Sequence, residues 1–243
     1  MTSPEHDAPR GRRGEPRGEP GGESGGESGG EPETVGGIVL TGGTAARLDG
    51  ADKGGIEIGG STLLERALAA LAEVPQVVVV GPEVPTSRPV TFRREDPPGG
   101  GPAAAVLAGL SGFPRPPGIV VVLAVDMPMV TAATVARLLA GVAGAGAEGA
   151  VLVDAAGYRQ TLCAAYRVGP LAQRGARAGE GAAMRRLVAA LEIVEVPATG
   201  HEADDVDTWD DLARLRRASG PASGTLPATD ACEGTGAGPR WNT

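Results

Sequence analysis

The sequence predicts an α/β protein built on a mostly parallel sheet with helices on both faces. Three observations carry this prediction. The apolar runs at 35–41, 76–80 and 119–125 are continuous and short, the pattern of strands buried on both faces. Each leads through a loop into a segment with helical spacing, so strand, loop and helix alternate three times. That alternation joins parallel strands through crossover helices. Finally, Gly42-Gly43, Asp96 and Asp126 fall where strands end, and sheets of this kind bind ligands at the carboxyl ends of their strands.

In chain order, residues 1–34 repeat Gly-Glu-Pro and Gly-Gly-Glu-Ser units. Such a segment buries too little apolar surface to offset its ordering entropy and is predicted to be disordered. Residues 35–41 form the first strand, ended by glycine. After a loop, Ile56-Glu57-Ile58 reaches a Gly59-Gly60 turn. Ser61-Thr62 then offers a helix cap, Leu63, Leu64, Leu68 and Leu71 recur at helical spacing, and Pro75 stops the helix. Residues 76–80 are the second strand, and 90–93 a short one leading to Glu95-Asp96. The turn 97–102 opens a helix over 103–110, with Pro102 suited to its first turn. The run 119–125 empties into Asp126-Met127-Pro128, and Thr131 caps a helix reaching Gly141.

Beyond this point, 150–154 and 161–166 are strands joined as a hairpin through Ala155-Ala156-Gly157. Helices are expected at 170–177, 182–190 and 207–217, and a late strand at 192–196. From Ala218 the chain turns Gly/Ala/Pro/Thr-rich again. The folded domain is therefore placed at 35–217, between disordered tails at 1–34 and 218–243.

Composition narrows the class. Hydrophobic residues make up 41% and aromatics only 2%, so the core must be Val, Leu, Ile and Ala. A net charge of -8 argues against non-specific nucleic-acid or anionic-membrane binding. Cys163 and Cys232 form no disulfide framework or zinc spacing. No apolar segment follows Met1, and no run has the length of a membrane span, so a cytoplasmic protein is expected.

The chemistry centres on residues 38–53. An apolar strand breaks into Gly42-Gly43 and is followed by Arg47, Asp52 and Lys53. Neither a G-x-x-x-x-G-K-[ST] loop nor a G-x-G-x-x-G fingerprint occurs in this stretch. Glycine lets backbone N–H groups approach an anion closely, and a triphosphate held there would need the positive pair Arg47 and Lys53. Asp126 ends a hydrophobic strand, where an unpaired carboxylate is costly. It serves either as a helix cap or as a ligand for a hard metal ion, and the rigid Met127-Pro128 turn favours metal. Mg²⁺ takes one or two carboxylates together with phosphate oxygens. Asp207 is either a first-turn helix acid or a second metal ligand, should the fold return it beside Asp126. Asp96 has the same ambiguity. His6 and His201 lack a Ser or Cys partner motif. These residues describe phosphoryl chemistry without a covalent nucleophile, resting on positioning and charge stabilisation.

Leu40-Thr41-Gly42-Gly43, Arg47-Leu48 and Asp52-Lys53 resemble the L-x-G-G-x-x-x-R-[ML]-G-x-x-D-K signature of the MobA-like nucleotidyltransferases, best known as molybdenum cofactor guanylyltransferases. Asp96 with Gly101-Pro102, Asp126-Met127-Pro128, Arg159-Gln160 to Tyr166, and Asp207-Thr208 continue the match in order. The resemblance implies a single Rossmann-like three-layer sandwich of the nucleotide-diphospho-sugar transferase type. It also implies that Leu40, Thr41, Gly42, Gly43, Lys53, Asp96 and Gly101 hold the nucleotide, with Arg47, Lys53 and Asp126 catalytic and Asp126 and Asp207 on Mg²⁺. The implied reaction joins GMP from GTP to molybdenum-bearing molybdopterin and releases pyrophosphate. So labile an acceptor suits hand-off from a delivery or acceptor protein. The Gly42-Gly43 pair favours GTP, since the cytidylyl branch more often reads Leu-Ala-Ala-Gly. Three positions depart from the pattern: Thr41 for Ala, Asp49 for Gly, and Asp207-Thr208-Trp209 where guanylyl members more often read Asn-Thr-Pro and cytidylyl members Asp-Thr-Pro. A cytidylyltransferase on the same cofactor, an NTP transferase acting on a sugar or polyol phosphate, and a non-catalytic nucleotide-binding paralogue are the alternatives.

Overall fold

The computed structural model describes residues 33–42, 53–96, 98–144, 146–176 and 183–218. Its strands are β1 (Val35–Leu40), β2 (Glu57–Ile58), β3 (Ser61–Thr62), β4 (Gln76–Val80), β5 (Thr91–Arg93), β6 (Ile119–Ala124), β7 (Gly149–Val153), β8 (Arg159–Arg167) and β9 (Ile193–Pro197). The helices are α1 (Leu63–Ala70), α2 (Gly101–Leu110), α3 (Ala132–Val142), α4 (Val168–Gly175), α5 (Met184–Val188) and α6 (Trp209–Ala218).

Seven strands make one sheet in the order β5-β4-β1-β6-β8-β7-β9. β1 runs parallel to both β4 and β6, β5 parallel to β4, and β9 parallel to β7. β8 alone runs against its neighbours β6 and β7. The sheet is therefore mostly parallel, as the sequence predicts. The antiparallel strand is the second arm of the expected hairpin. Its turn is held by Asp154, whose Oδ1 accepts from the backbone N–H of Ala156 at 2.9 Å and of Tyr158 at 2.8 Å.

Strand geometry sends alternate side chains to opposite faces, and the core divides accordingly. Val39, Val121 and Leu123 pack with Leu63 and Leu68 of α1, Leu138 of α3 and Leu212 of α6. Ile38, Leu40, Val120 and Val122 pack with Val106 of α2, Leu171 of α4 and Leu187 of α5. The result is helix, sheet, helix, with an aliphatic core. α2 lies tightly on β1 because Gly109 leaves no Cβ; one placed there would sit 2.8 Å from Ile38 Cγ2.

Element ends differ from expectation for identifiable reasons. The last helix starts at Trp209 rather than Asp207, because Thr208 caps it: Thr208 Oγ1 accepts from Asp211 N–H at 3.2 Å, and Asp211 Oδ2 accepts back from Thr208 N–H at 3.0 Å. α4 begins two residues before Pro170, within the first turn where proline's missing N–H does no harm. The β2–β3 pairing was not predicted, since each arm has only two residues. At the amino end Glu33 is ion-paired to Arg167, and the Thr34 carbonyl accepts from Gly118 and Ile119 N–H at 2.9 and 3.1 Å. The tail segments 1–32 and 219–243 lie outside the described residues. Among the described residues no helix is long and apolar enough to cross a membrane.

Candidate active site

β1 leads to β4 on one side and to β6 on the other, so the crossover direction reverses at β1. Such a switch point leaves a crevice beyond the strand ends. Here it is a cleft of about 730 Å³, walled by Leu40 and Gly42 after β1, Val80 and Gly81 after β4, and Ala124 and Asp126 after β6. Its far side is the start of α2, with Gly99, Gly101, Pro102 and Ala105. Gly101 has φ +83°, a conformation a side chain would strain, and it sets the helix end against the cleft. The cap, Gly100, makes no side-chain bond to the first-turn N–H groups. Those groups and the positive end of the helix dipole therefore remain available to an anion.

Charge gathers at one corner. Lys53, only 8% exposed, places Nζ 2.7 Å from Asp207 Oδ1 and 3.7 Å from Asp126 Oδ2. Three chain segments separated by more than seventy residues each thus meet at one ammonium. Asp126 stands on the turn after β6. Backbone bonds tie that turn inward: Val125 N–H donates to the Leu40 carbonyl at 3.1 Å, and Val206 N–H to the Asp126 carbonyl at 2.8 Å. The second bond, with Val206 fully buried, fastens the segment carrying Asp207 directly to the Asp126 turn. The condition for Asp207 to join Asp126 is met. Burial pushes the Asp126 carboxyl above its ordinary value, Lys53 pulls it back, and Asp207 and Asp205 push it up again.

The residues expected to bind nucleotide separate in the structure. Leu40, Gly42, Gly101 and Asp126 line the cleft, and among the described residues nothing lies within 4 Å of a Cβ built on Gly42, so none of them closes off the backbone there. The Thr41 side chain does not line it. It is buried, donates to the Val80 carbonyl at 3.2 Å and fills the space where a Gly81 Cβ would come within 1.8 Å of its Oγ1. Asp96 is exposed and outside the lining, whereas its neighbours Arg94 and Glu95 belong to it. Gly43, Arg47 and Asp49 lie outside the described residues. His201 pairs with Asp204 at 2.9 Å, and Arg159 with Glu195 at 2.8 Å. Tyr166 is fully buried and donates to the Thr161 carbonyl at 2.8 Å, so it is a core residue. Cys163 is likewise buried, and burial pushes its thiol up to about 12.

Three supporting residues carried no sequence signal. Arg66 of α1 donates Nε to the Pro128 carbonyl at 2.9 Å and Nη1 to the Ile58 carbonyl at 3.4 Å, clamping the turn after Asp126. Glu202 accepts from Thr134 Oγ1 at 2.6 Å and from Thr199 N–H at 2.7 Å, and pairs with Arg137, holding the strap to Asp207 against α3. Burial alone would raise the Glu202 carboxyl, but the Arg137 and Thr134 bonds outweigh it and hold it below the usual range. Glu95 lines the cleft with one carboxylate oxygen, Oε2, shut off from solvent and without a partner among the described residues. An acceptor so placed costs about 1–3 kcal/mol.

Two carboxylates converging on one buried ammonium show that this corner favours positive charge. Both are hard oxygen donors, the set a magnesium or manganese ion accepts. Among the described residues no three His, Cys, Asp or Glu side chains group as a metal cage. The corner therefore suits an ion that completes its shell with water and phosphate oxygens rather than protein alone.

The comparisons agree with this architecture. The structure is similar to molybdopterin-guanine dinucleotide biosynthesis protein A from Archaeoglobus fulgidus, at 24% identity, covering 76% of this chain and 98% of that one with a TM-score of 0.61. It is also similar to Rv0371c from Mycobacterium tuberculosis H37Rv, solved in complex with manganese, at 20% identity, covering 77% and 100% with a TM-score of 0.57. In sequence, 92 residues are 40% identical to the bifunctional enzyme IspD/IspF of a Bradyrhizobium strain, a match spanning 34% of this chain and 23% of that protein's length. The model of the MobA-like NTP transferase domain matches residues 37–196, from β1 to the end of the sheet. The chain therefore belongs to the MobA-like NTP transferase domain family.

Proposed function

We propose that this transferase moves GMP from GTP to molybdenum-bearing molybdopterin, giving the guanine dinucleotide cofactor and pyrophosphate. The observation that carries the reading is the Lys53, Asp126 and Asp207 corner beside the cleft at the ends of β1, β4 and β6. The apolar walls Leu40, Val80 and Pro82 suit a base, and the open backbone at Gly42 suits phosphate oxygens. Lys53 offsets phosphate charge, with Arg47 and Gly43 as its proposed partners in holding the phosphates, while Thr41 holds β1 to the β4 end and so fixes the position of Gly42. Gly101 borders the same nucleotide in this reading, whereas Asp96 lies outside the cleft lining. Mg²⁺, held by Asp126 and Asp207 with phosphate oxygens, would polarise the α-phosphate and steady the leaving pyrophosphate. An oxygen of the acceptor phosphate forms the new bond to the α-phosphorus as the bond to the β-phosphate oxygen breaks. That acceptor is largely deprotonated near neutral pH, so no side chain has to remove a proton. Val206 and Arg66 act by position, fixing the two aspartates relative to each other. The catalytic body is placed at 35–217 in a cytoplasmic protein, with the acceptor handed over by another protein.

A second reading, cytidylyl transfer to a polyol phosphate, is favoured by the 40% local identity to the bifunctional IspD/IspF enzyme together with the fold likeness to IspD, a 2-C-methyl-D-erythritol 4-phosphate cytidylyltransferase. The test is pyrophosphate release from GTP, CTP and ATP with Mg²⁺ and either molybdenum cofactor or a polyol phosphate. Turnover with CTP but not GTP rejects the guanylyl assignment, and nucleotide binding without any turnover points to a non-catalytic paralogue. Asp126→Asn is expected to lose at least about 100-fold in turnover with its melting curve intact; full activity would remove Asp126 from the mechanism.

A further inference from the structure

We propose that Glu95 selects the base, its carboxylate taking the two adjacent N–H donors on the edge of a guanine bound in the cleft. The proposal rests on the reading of that cleft as the nucleotide site. Glu95 follows β5 and lines the cleft together with Leu40, Val80, Pro82 and Pro98. A flat ring between apolar walls gains affinity from the walls, and its identity is set by the few polar groups among them. The other lining carboxylate, Asp126, is engaged by Lys53. Glu95 differs: its Oε2 is shut off from solvent and has no hydrogen-bond partner among the described residues. Buried acceptors are ordinarily satisfied, so an unmet carboxylate oxygen at the edge of a ligand cleft marks acceptor capacity that a ligand can fill once the side chain turns toward it.

The chemistry of the carboxylate then chooses among bases. Its two oxygens accept only. Guanine presents a ring N–H and an amino group side by side, and both can be received in the bidentate manner a carboxylate favours. Cytosine and adenine present an amino group beside a ring nitrogen that is itself an acceptor, so the second oxygen would face a lone pair. Uracil offers a single N–H between two carbonyls. Rejection by an unpaired or opposed polar group is far steeper than rejection by shape alone.

The experiment is calorimetric binding of GTP, CTP and ATP, with Mg²⁺, to the full chain and to Glu95→Gln. Glutamine keeps the shape but turns one acceptor into a donor, matching the amino and ring-nitrogen edge of cytosine or adenine. The intact protein should bind GTP about 100-fold or more tighter than CTP. Glu95→Gln should lose about 30-fold or more for GTP and bind CTP or ATP better than the intact protein does. Glu95→Asp keeps two acceptors and should preserve the order of preference with weaker binding. A merely structural glutamate would weaken all three nucleotides alike, and that result overturns the proposal, as does a preference for CTP in the intact protein. If the intact protein binds no nucleotide, the nucleotide reading of the cleft fails and the proposal fails with it. If GTP binds tightly but Glu95→Gln leaves the order unchanged, only the role of Glu95 is lost.

Discussion

Lys53→Met isolates the electrostatics of the catalytic corner. Methionine matches the length of lysine, so packing changes little and the ammonium is what is removed. Lys53 is 8% exposed, while the side chains of its partners Asp126 and Asp207 are 31% and 47% exposed. A fully buried pair broken from one side costs about 3–5 kcal/mol, and an exposed pair contributes about 0–1 kcal/mol. This one straddles the boundary, with a buried cation and half-wet anions, so a loss of about 2 kcal/mol is expected, before any second effect of the two aspartates repelling each other. For a domain of this size that lowers the melting temperature by about 4–8 °C. The diagnostic step is rescue. If the two carboxylates are left facing a vacated cationic position, millimolar Mn²⁺ should restore most of the loss in Lys53→Met and raise its melting temperature more than that of the intact protein, in which the ammonium competes with the ion for the same two carboxylates. Differential scanning calorimetry with and without Mn²⁺ reads both quantities. A melting point within about 1 °C of the intact protein, or a loss that Mn²⁺ leaves untouched, would refute the convergence of Asp126 and Asp207 on one cationic point. Turnover of Lys53→Met should fall about 100-fold or more whether or not the metal restores the fold, because the charge facing the phosphates is gone.

Two further expectations concern the supports. The Glu202 carboxyl is held below its ordinary value by Arg137 and Thr134 despite burial, so its contribution is present above the unfolded carboxylate pKa of about 4.3 and is lost as pH falls through the lower folded value. Glu202→Gln should therefore cost about 2 kcal/mol at neutral pH, with the gap to the intact protein closing on acidification, as read by urea unfolding across that range; a gap independent of pH would contradict the ion-pair account. Arg66→Met frees the Pro128 carbonyl and loosens the turn after Asp126. It should lower turnover about tenfold with a stability loss of about 1 kcal/mol, measured by pyrophosphate release and thermal melting, and undiminished turnover would show that the clamp does not position Asp126.

Much of the fold was legible because its signals are local. Short continuous Val and Ile runs bounded by Gly and Pro read as doubly buried strands, and every one of them is in the sheet within a residue or two of its predicted ends. Thr62 and Thr131 cap helices as their positions suggest, each accepting the N–H three residues on. The boundary at Asp207 was misread because acidic residues suit a helix start equally well inside and just outside it. Only the reciprocal Thr208–Asp211 cap, a contact between two side chains, moved the start to Trp209.

The site divides along the same line. By itself the sequence determined the strand-to-glycine loop, the carboxylate closing β6 and the class of chemistry, because these rest on residue type and on spacing within a single segment. Which aspartate joins Asp126, that Thr41 turns inward to the Val80 carbonyl, and that Glu95 rather than Asp96 faces the cleft were decided by tertiary structure alone. Neighbouring residues on an extended chain point to opposite sides, so Glu95 and Asp96 cannot be told apart until β5 is paired and its register set against β4. Lys53 and Asp207 lie 154 residues apart in the chain, and no local pattern records such a meeting. It exists because Val206 is buried beneath the β6 turn, and packing the apolar residue carries the charged one beside it into place.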